Sequence, residues 1–126
     1  VAQANQSVSI QSMKKNIKVH EKVLENLINY YEKKKSENID ENALCYIKNR
    51  IGIVAANQLT TYLTFDDKKE RKTIVKKFSK ELKEKSNDIY SIYKKNKKAM
   101  LILNSNYLLT NVVAKMYMKK ISGVRY

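Results

Sequence analysis

The run AMLILNSNYLLTNVVAKMYM, residues 99–118, decides the fold, because it is apolar on nearly every side and is either a membrane span or the central helix of a bundle. A span is disfavoured by the polar residues inside the run, of which Lys115 alone costs roughly 2.5–3.5 kcal/mol on insertion scales. Basic residues also flank both ends, which removes the orientation signal of a span. The run therefore predicts one buried helix over residues 97–121.

The composition of the whole chain points to long helices as well. Its 126 residues include no proline and only two glycines, so the usual residues of sheets and tight turns are missing. Apolar residues recur at steps of three and four in every long segment. The fold class predicted is all-α, with three to four antiparallel helices forming a bundle around the apolar C-terminal helix. The other expected helices are 9–35, capped by Ser9 or Ser12; one from SENIDEN (36–42) to TFDD (64–67); 67–85; and a short one after Ser86.

The inventory of reactive side chains is short. One histidine and one cysteine exclude a multi-histidine metal site and a zinc ribbon. His20 falls on the inner stripe of the first helix and is interpreted as a packed or boundary side chain, and Cys45 as a small buried apolar residue. Asp66 and Asp67 are expected to cap the third helix. No catalytic, cofactor-binding or metal-binding residue is predicted in this chain, and a cysteine without a partner favours a reducing, cytoplasmic setting.

Positive charge is the remaining feature, with a net value of +14, and half of it lies in residues 86–126. Lysines attract phosphate groups without selectivity, so this region predicts contact with an anionic surface, with a solvated face as the alternative. Specific nucleic-acid reading is disfavoured because only three residues are arginine. The candidate contact residues are Lys94, Lys95, Lys97 and Lys98, with Tyr90 and Tyr93 beside them at a headgroup boundary.

A second basic group, Lys119, Lys120 and Arg125, lies at the other end of the predicted C-terminal helix. A straight helix separates the two groups by about 30 Å. Only one of them is then expected to reach a flat surface, and the tyrosines favour the group at 94–98.

The stretch NQSVSIQSMKKNIKVHEKVLENLINYYEKKK, residues 5–35, resembles the segment that follows the catalytic domain in bacterial family 2 glycosyltransferases of the GT-A fold, encoded in capsule and exopolysaccharide clusters. The resemblance rests on residues 6–9, on Ser12-Met13 and Asn16-Ile17, and on residues 20–23 running into Leu27-Ile28 and Tyr30-Tyr31. A looser likeness continues through residues 36–65 and 82–95.

That resemblance implies a parent enzyme that transfers a sugar from a nucleotide-sugar to a polysaccharide or lipid-linked glycan, using a divalent metal. Residues 1–8 would be the connector from an N-terminal GT-A catalytic domain, and residues 9–126 a helical C-terminal domain at the inner face of the bacterial membrane. Its roles would be self-association as a homo-oligomer, acceptor positioning or attachment to the membrane surface. The alternative is an independent basic adaptor that binds nucleic acid or a partner helix.

Overall fold

A computed structural model describes residues 15–123 of the chain, and side chains up to residue 120. The described part is all-helical and contains no strand, which confirms the predicted fold class. The predicted connector at residues 1–8, the caps at Ser9 and Ser12, and Arg125 lie outside the described residues. The helices are α1 (Ile17–Ser36), α2 (Glu41–Tyr62), α3 (Lys68–Lys85), α4 (Asn87–Tyr93), α5 (Lys97–Asn104) and α6 (Thr110–Gly123).

Short polar side chains cap the N-termini of α2, α3 and α4, and two of these caps lie where the sequence predicts them. Asp40 accepts a hydrogen bond from the Ala43 backbone N–H at the start of α2. Asp67 accepts from the amides of Lys69 and Glu70, at 2.8 and 3.1 Å, so the expected aspartate cap of α3 is confirmed. Ser86 accepts from the Ile89 N–H and so caps α4. These bonds satisfy amides of the first turn that have no partner inside the helix.

Helix α2 is the centre of the fold, since α1, α3 and α4 all pack against it. Its inner side chains recur at steps of three and four, and Ala55 and Leu59 are fully buried. Gly52 lies where α4 crosses α2, and a Cβ atom at this position would collide with the side chain of Ile92. The close approach of the two helices therefore requires glycine.

The prediction of one helix over 97–121 is wrong, because the run turns at residues 105–109 and forms α5 and α6. The turn is a Schellman motif. The Tyr107 N–H donates to the Ile102 carbonyl at 2.8 Å, and the Asn106 N–H to the Leu103 carbonyl at 3.0 Å. Asn106 has φ 53°, a left-handed conformation that asparagine tolerates better than most residues. The polar NSN segment thus ends a helix instead of lying within one.

Candidate anionic-surface interface

The two basic groups lie closer together than a straight helix allows. Helix α6 packs back against α5 after the turn. The Lys98 ammonium, near the start of α5, lies 5.2 Å from the ring centroid of Tyr117, near the end of α6. Lys119 and Lys120 follow Tyr117 by two and three residues. The expected separation of about 30 Å, which assumed a single straight helix, is therefore wrong.

The four lysines proposed from the sequence border this helix pair. Lys94 and Lys95 follow α4, and Lys97 begins α5; all three side chains are exposed, while Lys98 is half-buried. Among the described residues, none of the four makes an ion pair with a carboxylate. Their charge is therefore not neutralised within this part of the chain.

The two tyrosines of the predicted site have different surroundings. Tyr93 is only 1% exposed, and its hydroxyl is 2.8 Å from the Ser79 hydroxyl. Its ring meets that of Phe78 edge-on, and burial raises its pKa. A headgroup contact for Tyr93 is therefore wrong, since the residue forms the inner face of α4 together with Ile89. Tyr90 is half-buried, with the ammonium groups of Lys83 and Lys94 at 5.7 and 5.8 Å from its ring centroid.

An exposed apolar surface lies on α6, and the sequence interpretation missed it. Leu108, in the turn before α6, is 75% exposed, and Val112 and Met116 are 52% and 62% exposed. Val112 and Met116 are four residues apart and therefore lie along one side of the helix. We call these two residues, together with Leu108 in the turn that precedes them, the α6 stripe. Lys115 and Lys119 are exposed on the same side, three residues after Val112 and Met116. The stripe and its lysines form an amphipathic surface.

Contacts on the other side of α6 hold the helix so that the α6 stripe is exposed. Val113 and Ala114 are buried in the core. Asn111 accepts a hydrogen bond at 3.0 Å from Arg71 Nη1, while Arg71 Nε and Nη2 donate to the Phe65 carbonyl at 2.9 and 2.6 Å. Arg71 therefore ties α6 to the α2–α3 connection. The stripe points outward because its helix is held from the other side.

The electrostatics of the C-terminal third are one-sided. Residues 86–126 contain eight basic side chains and a single acidic one, Asp88. Asp88 is turned toward α1, where Lys35 Nζ lies at 2.8 Å and the Tyr31 hydroxyl donates to it at 2.9 Å. These two partners lower the pKa of the Asp88 carboxyl. No carboxylate within the described residues pairs with Lys115 or Lys119.

The remaining predicted residues do not form a reactive site. His20 lies on the same side of α1 as Leu24 and is exposed, so of the two alternatives it is not a packed side chain. It lies just before the buried part of that side. Cys45 is also exposed rather than buried, because it lies in the first two turns of α2, ahead of that helix's buried residues. Its sulfur accepts a hydrogen bond from Asn49 Nδ2 at 3.6 Å. No cluster of metal-ligating side chains occurs among residues 15–120.

Across residues 15–123, none of the helices combines the length and hydropathy needed to cross a bilayer. Comparisons with protein-family models, curated proteins and solved structures gave no match to this chain. The glycosyltransferase resemblance thus remains a prediction from the sequence.

Proposed function

We propose that this chain is a non-catalytic helical domain that attaches to an anionic membrane surface through the α6 stripe and its lysines. One observation carries the proposal: an unbroken, exposed apolar stripe with only basic side chains beside it on the same side of the helix. Helices that lie in the membrane interface combine an apolar face with lysines that meet anionic headgroups. A bilayer matches both parts of this surface.

The energy of such a contact is modest. Inserting the exposed side chains of Leu108, Val112 and Met116 gains roughly 1 kcal/mol each. Lys115 and Lys119 add about 1 kcal/mol each near an anionic surface. A total of about 5 kcal/mol corresponds to weak, reversible attachment. The exposed lysines at 94, 95 and 97 strengthen it wherever they come within a Debye length of the surface.

The resemblance to family 2 glycosyltransferases gives this attachment a purpose. The parent protein would transfer a sugar from a nucleotide-sugar, with a divalent metal, to a polysaccharide or lipid-linked glycan. Attachment would hold its catalytic domain near the inner face of the membrane, where a lipid-linked acceptor lies. The gene supplies the test: a GT-A domain with an acidic metal-binding motif encoded ahead of Val1 supports this part of the proposal, and an unrelated domain there refutes it.

The attachment is tested by co-sedimentation with vesicles of phosphatidylcholine that contain increasing fractions of phosphatidylglycerol. The double variant V112S/M116S removes two members of the α6 stripe. Its matched control, V19S/V23S, changes two side chains with the same spacing and similar exposure on α1. Helix α1 packs chiefly against α2, whereas α6 packs against α3 and α5, so the two pairs lie on different parts of the molecule.

We expect wild type and V19S/V23S to bind the vesicles alike, and V112S/M116S to bind roughly tenfold or more weakly. The reason is that only the α6 pair inserts into the bilayer. Equal binding by the two double variants contradicts the proposal.

The alternative is an adaptor that binds nucleic acid, and such binding would involve the lysines but not the apolar stripe. Replacing Lys94, Lys95, Lys97 and Lys98 by glutamine should weaken binding to any polyanion, and weaken it more at low salt. Only lipid binding should respond to V112S/M116S. Tight, salt-sensitive RNA binding that V112S/M116S leaves unchanged, together with no vesicle binding, would favour the adaptor function.

A further inference from the structure

A small pocket lies where the first turn of α3 meets α6, beside the α6 stripe. Its volume is about 480 Å³, which lies within the usual range of small-molecule sites. Three basic side chains line it, Lys68 and Arg71 from α3 and Lys115 from α6, and no carboxylate among the described residues does. Asp67 precedes Lys68, but its carboxylate accepts from two backbone amides of α3. The lining of the pocket is therefore purely basic within the described part of the chain.

Arg71 is held in this pocket by neutral acceptors. Its Nε and Nη2 donate to the Phe65 carbonyl, and its Nη1 donates to Asn111 Oδ1. Within the described part of the chain, no ion pair with a carboxylate involves Arg71, Lys68 or Lys115. The guanidinium is thus fixed in place and half-buried, and none of the described carboxylates balances its charge.

The polar groups that remain in the pocket are hydrogen-bond donors. Each nitrogen of the Arg71 guanidinium uses one N–H in these bonds, so Nη1 and Nη2 keep a second N–H that has no partner among the described residues. Because Asn111 Oδ1 accepts from Arg71, the other end of its amide is the NH₂ group, which has no described partner either. The lysines add donors and no acceptor. An anion with several acceptor oxygens matches this set of groups.

A phosphate monoester fits the pocket better than other common anions. At pH 7 it carries a charge of about −1.5 to −2 and offers strong acceptor oxygens. A carboxylate or a phosphate diester carries about one negative charge and leaves more of the positive charge of the pocket unbalanced. Partial burial of an unbalanced charge costs free energy, and a dianion recovers more of that cost. The planar guanidinium also suits phosphate oxygens.

We propose that this pocket binds a phosphate monoester, with Arg71 and the Asn111 amide donating to its oxygens and Lys68 and Lys115 balancing the remaining charge. The source of the monoester is a further step that rests on the proposed function. Val112 lines the pocket and also belongs to the α6 stripe. Phosphatidic acid, a lipid whose headgroup is a phosphate monoester, would therefore place its phosphate in the pocket when the stripe contacts the bilayer.

Binding to the pocket is tested without membranes, so the outcome does not depend on attachment. Methyl phosphate, a monoester, and dimethyl phosphate, a diester, are titrated into isotopically labelled chain at equal ionic strength. NMR follows the Arg71 Nε–H and the Asn111 side-chain amide, with the exposed amide of Asn26 on α1 as the internal control. We expect methyl phosphate to shift the two pocket signals and to bind about tenfold or more tightly than the diester. Equal binding of the two probes, or no shift of the pocket signals, overturns the proposal.

Two neighbouring lysines of α3 provide a matched pair of variants. Lys68→Gln removes a charge from the pocket, whereas Lys69→Gln removes the same charge from a residue that lines the separate cleft between α1 and α3. We expect Lys68→Gln to weaken the binding of methyl phosphate about fivefold, and Lys69→Gln to bind it like wild type. An equal loss in the two variants would mean that net charge attracts the anion without a site, and it overturns the proposal.

The lipid source is tested with vesicles that contain either phosphatidic acid or phosphatidylglycerol, a diester, at equal surface potential. We expect wild type to bind the phosphatidic acid vesicles about fivefold more tightly, and Lys68→Gln to bind both kinds alike. Methyl phosphate binding without this lipid preference refutes the lipid source and assigns the pocket to a soluble phosphate monoester. Failure of the proposed function gives a different result, because V112S/M116S would then bind phosphatidylglycerol vesicles as tightly as V19S/V23S.

Discussion

Helices α1 and α6 each expose apolar side chains, but only those of α6 form an unbroken stripe. On α1, Val19, Val23 and Tyr30 share one side of the helix and are 62%, 45% and 49% exposed. Asn26 lies between Val23 and Tyr30 on that side and is exposed as well, and we call these four residues the α1 patch. Moving an amide into an apolar environment costs about 0.5–2 kcal/mol even where part of its hydrogen bonding is kept. Asn26 therefore offsets much of what the two valines would gain in a bilayer.

The two helices differ less clearly in the number of lysines beside their apolar surfaces. Lysines border both surfaces, with Lys22 and Lys33 exposed beside the α1 patch. The segment 15–37 also contains four glutamates, and ion pairs join Lys18 to Glu21 at 3.9 Å and Lys34 to Glu37 at 3.2 Å. Helix α6 contains no acidic residue. Lysines therefore do not distinguish the two helices, whereas the absence of acidic residues and the exposed apolar stripe do distinguish α6.

The largest expected effect comes from the core that holds both helices in place. Gly52→Ala puts a methyl group against Ile92 at the crossing of α2 and α4. Over-packing of this kind costs about 3 kcal/mol at its upper range. Urea unfolding, followed by far-ultraviolet circular dichroism, measures the loss. Ile53→Ala, at an exposed neighbouring position, should cost much less, and a Gly52→Ala variant as stable as Ile53→Ala would show that α4 does not lie where the structure places it.

Removing the lysine charges beside the α6 stripe tests how much they contribute to vesicle binding. Lys115→Gln with Lys119→Gln should weaken binding to anionic vesicles by about 2 kcal/mol, or roughly thirtyfold, while the stripe stays intact. Binding should also lose much of its salt dependence. Vesicle titrations at two salt concentrations measure both effects. The matched control, Lys22→Gln with Lys33→Gln on α1, should bind like wild type; an equal loss in both pairs would mean that net charge acts without regard to position.

A single substitution on α1 makes the apolar surface of the α1 patch continuous. In the V112S/M116S background, Asn26→Leu joins Val23 to Tyr30 through an apolar side chain and leaves every charge in place. We expect part of the lost vesicle binding to return, by roughly tenfold, because one polar group is removed and one apolar side chain is added. Asn26→Gln keeps the amide and should restore nothing. Equal vesicle binding by the two variants would mean that a property other than apolar continuity distinguishes the two helices.

The smallest effect concerns Asp88, the acidic residue of the C-terminal third. Lys35 and Tyr31 lower its folded-state pKa below the ordinary value of 3.8. Its stabilisation is therefore complete above the unfolded pKa and disappears as pH falls through the folded pKa. Because the pair is partly exposed, Asp88→Asn should cost less than about 1 kcal/mol at neutral pH, and this cost should shrink as pH falls below the ordinary carboxyl pKa. Unfolding curves of wild type and Asp88→Asn at neutral and at acidic pH measure this difference in stability. A difference that grows toward low pH would contradict the lowered pKa of Asp88.

The helix boundaries were predictable where a single side chain sets them. Asp67 and Ser86 cap helices by bonding to amides two or three residues ahead, which is a local effect. The turn after Asn104 is also local, but it uses Asn106 in place of the more common glycine, and the surrounding apolar residues conceal it. Reading residues 97–121 as one helix hid the amphipathic pattern that α6 has once it begins at Thr110.

The candidate site was predictable only in part, because exposure depends on packing between distant segments. The basic excess after residue 86 is visible in the composition. The burial of Tyr93 against Ser79 and Phe78 is not, since these residues come from a different helix. The hydrogen bond from the Tyr62 hydroxyl to Glu21, 41 positions earlier in the chain, likewise depends on the packing of α1 against α2.

The contrast between the α6 stripe and the α1 patch is tested most directly with tryptophan as a reporter, because the chain contains none. Met116→Trp places the indole on the α6 stripe, and Val23→Trp places it at an exposed position in the α1 patch. Both variants are mixed with vesicles rich in phosphatidylglycerol, with and without lipids brominated on their acyl chains. We expect the emission of Met116→Trp to shift to shorter wavelength and to be quenched by the brominated lipids, while Val23→Trp emits as in buffer. Equal responses from the two variants, or a response from Val23→Trp alone, would contradict attachment through α6.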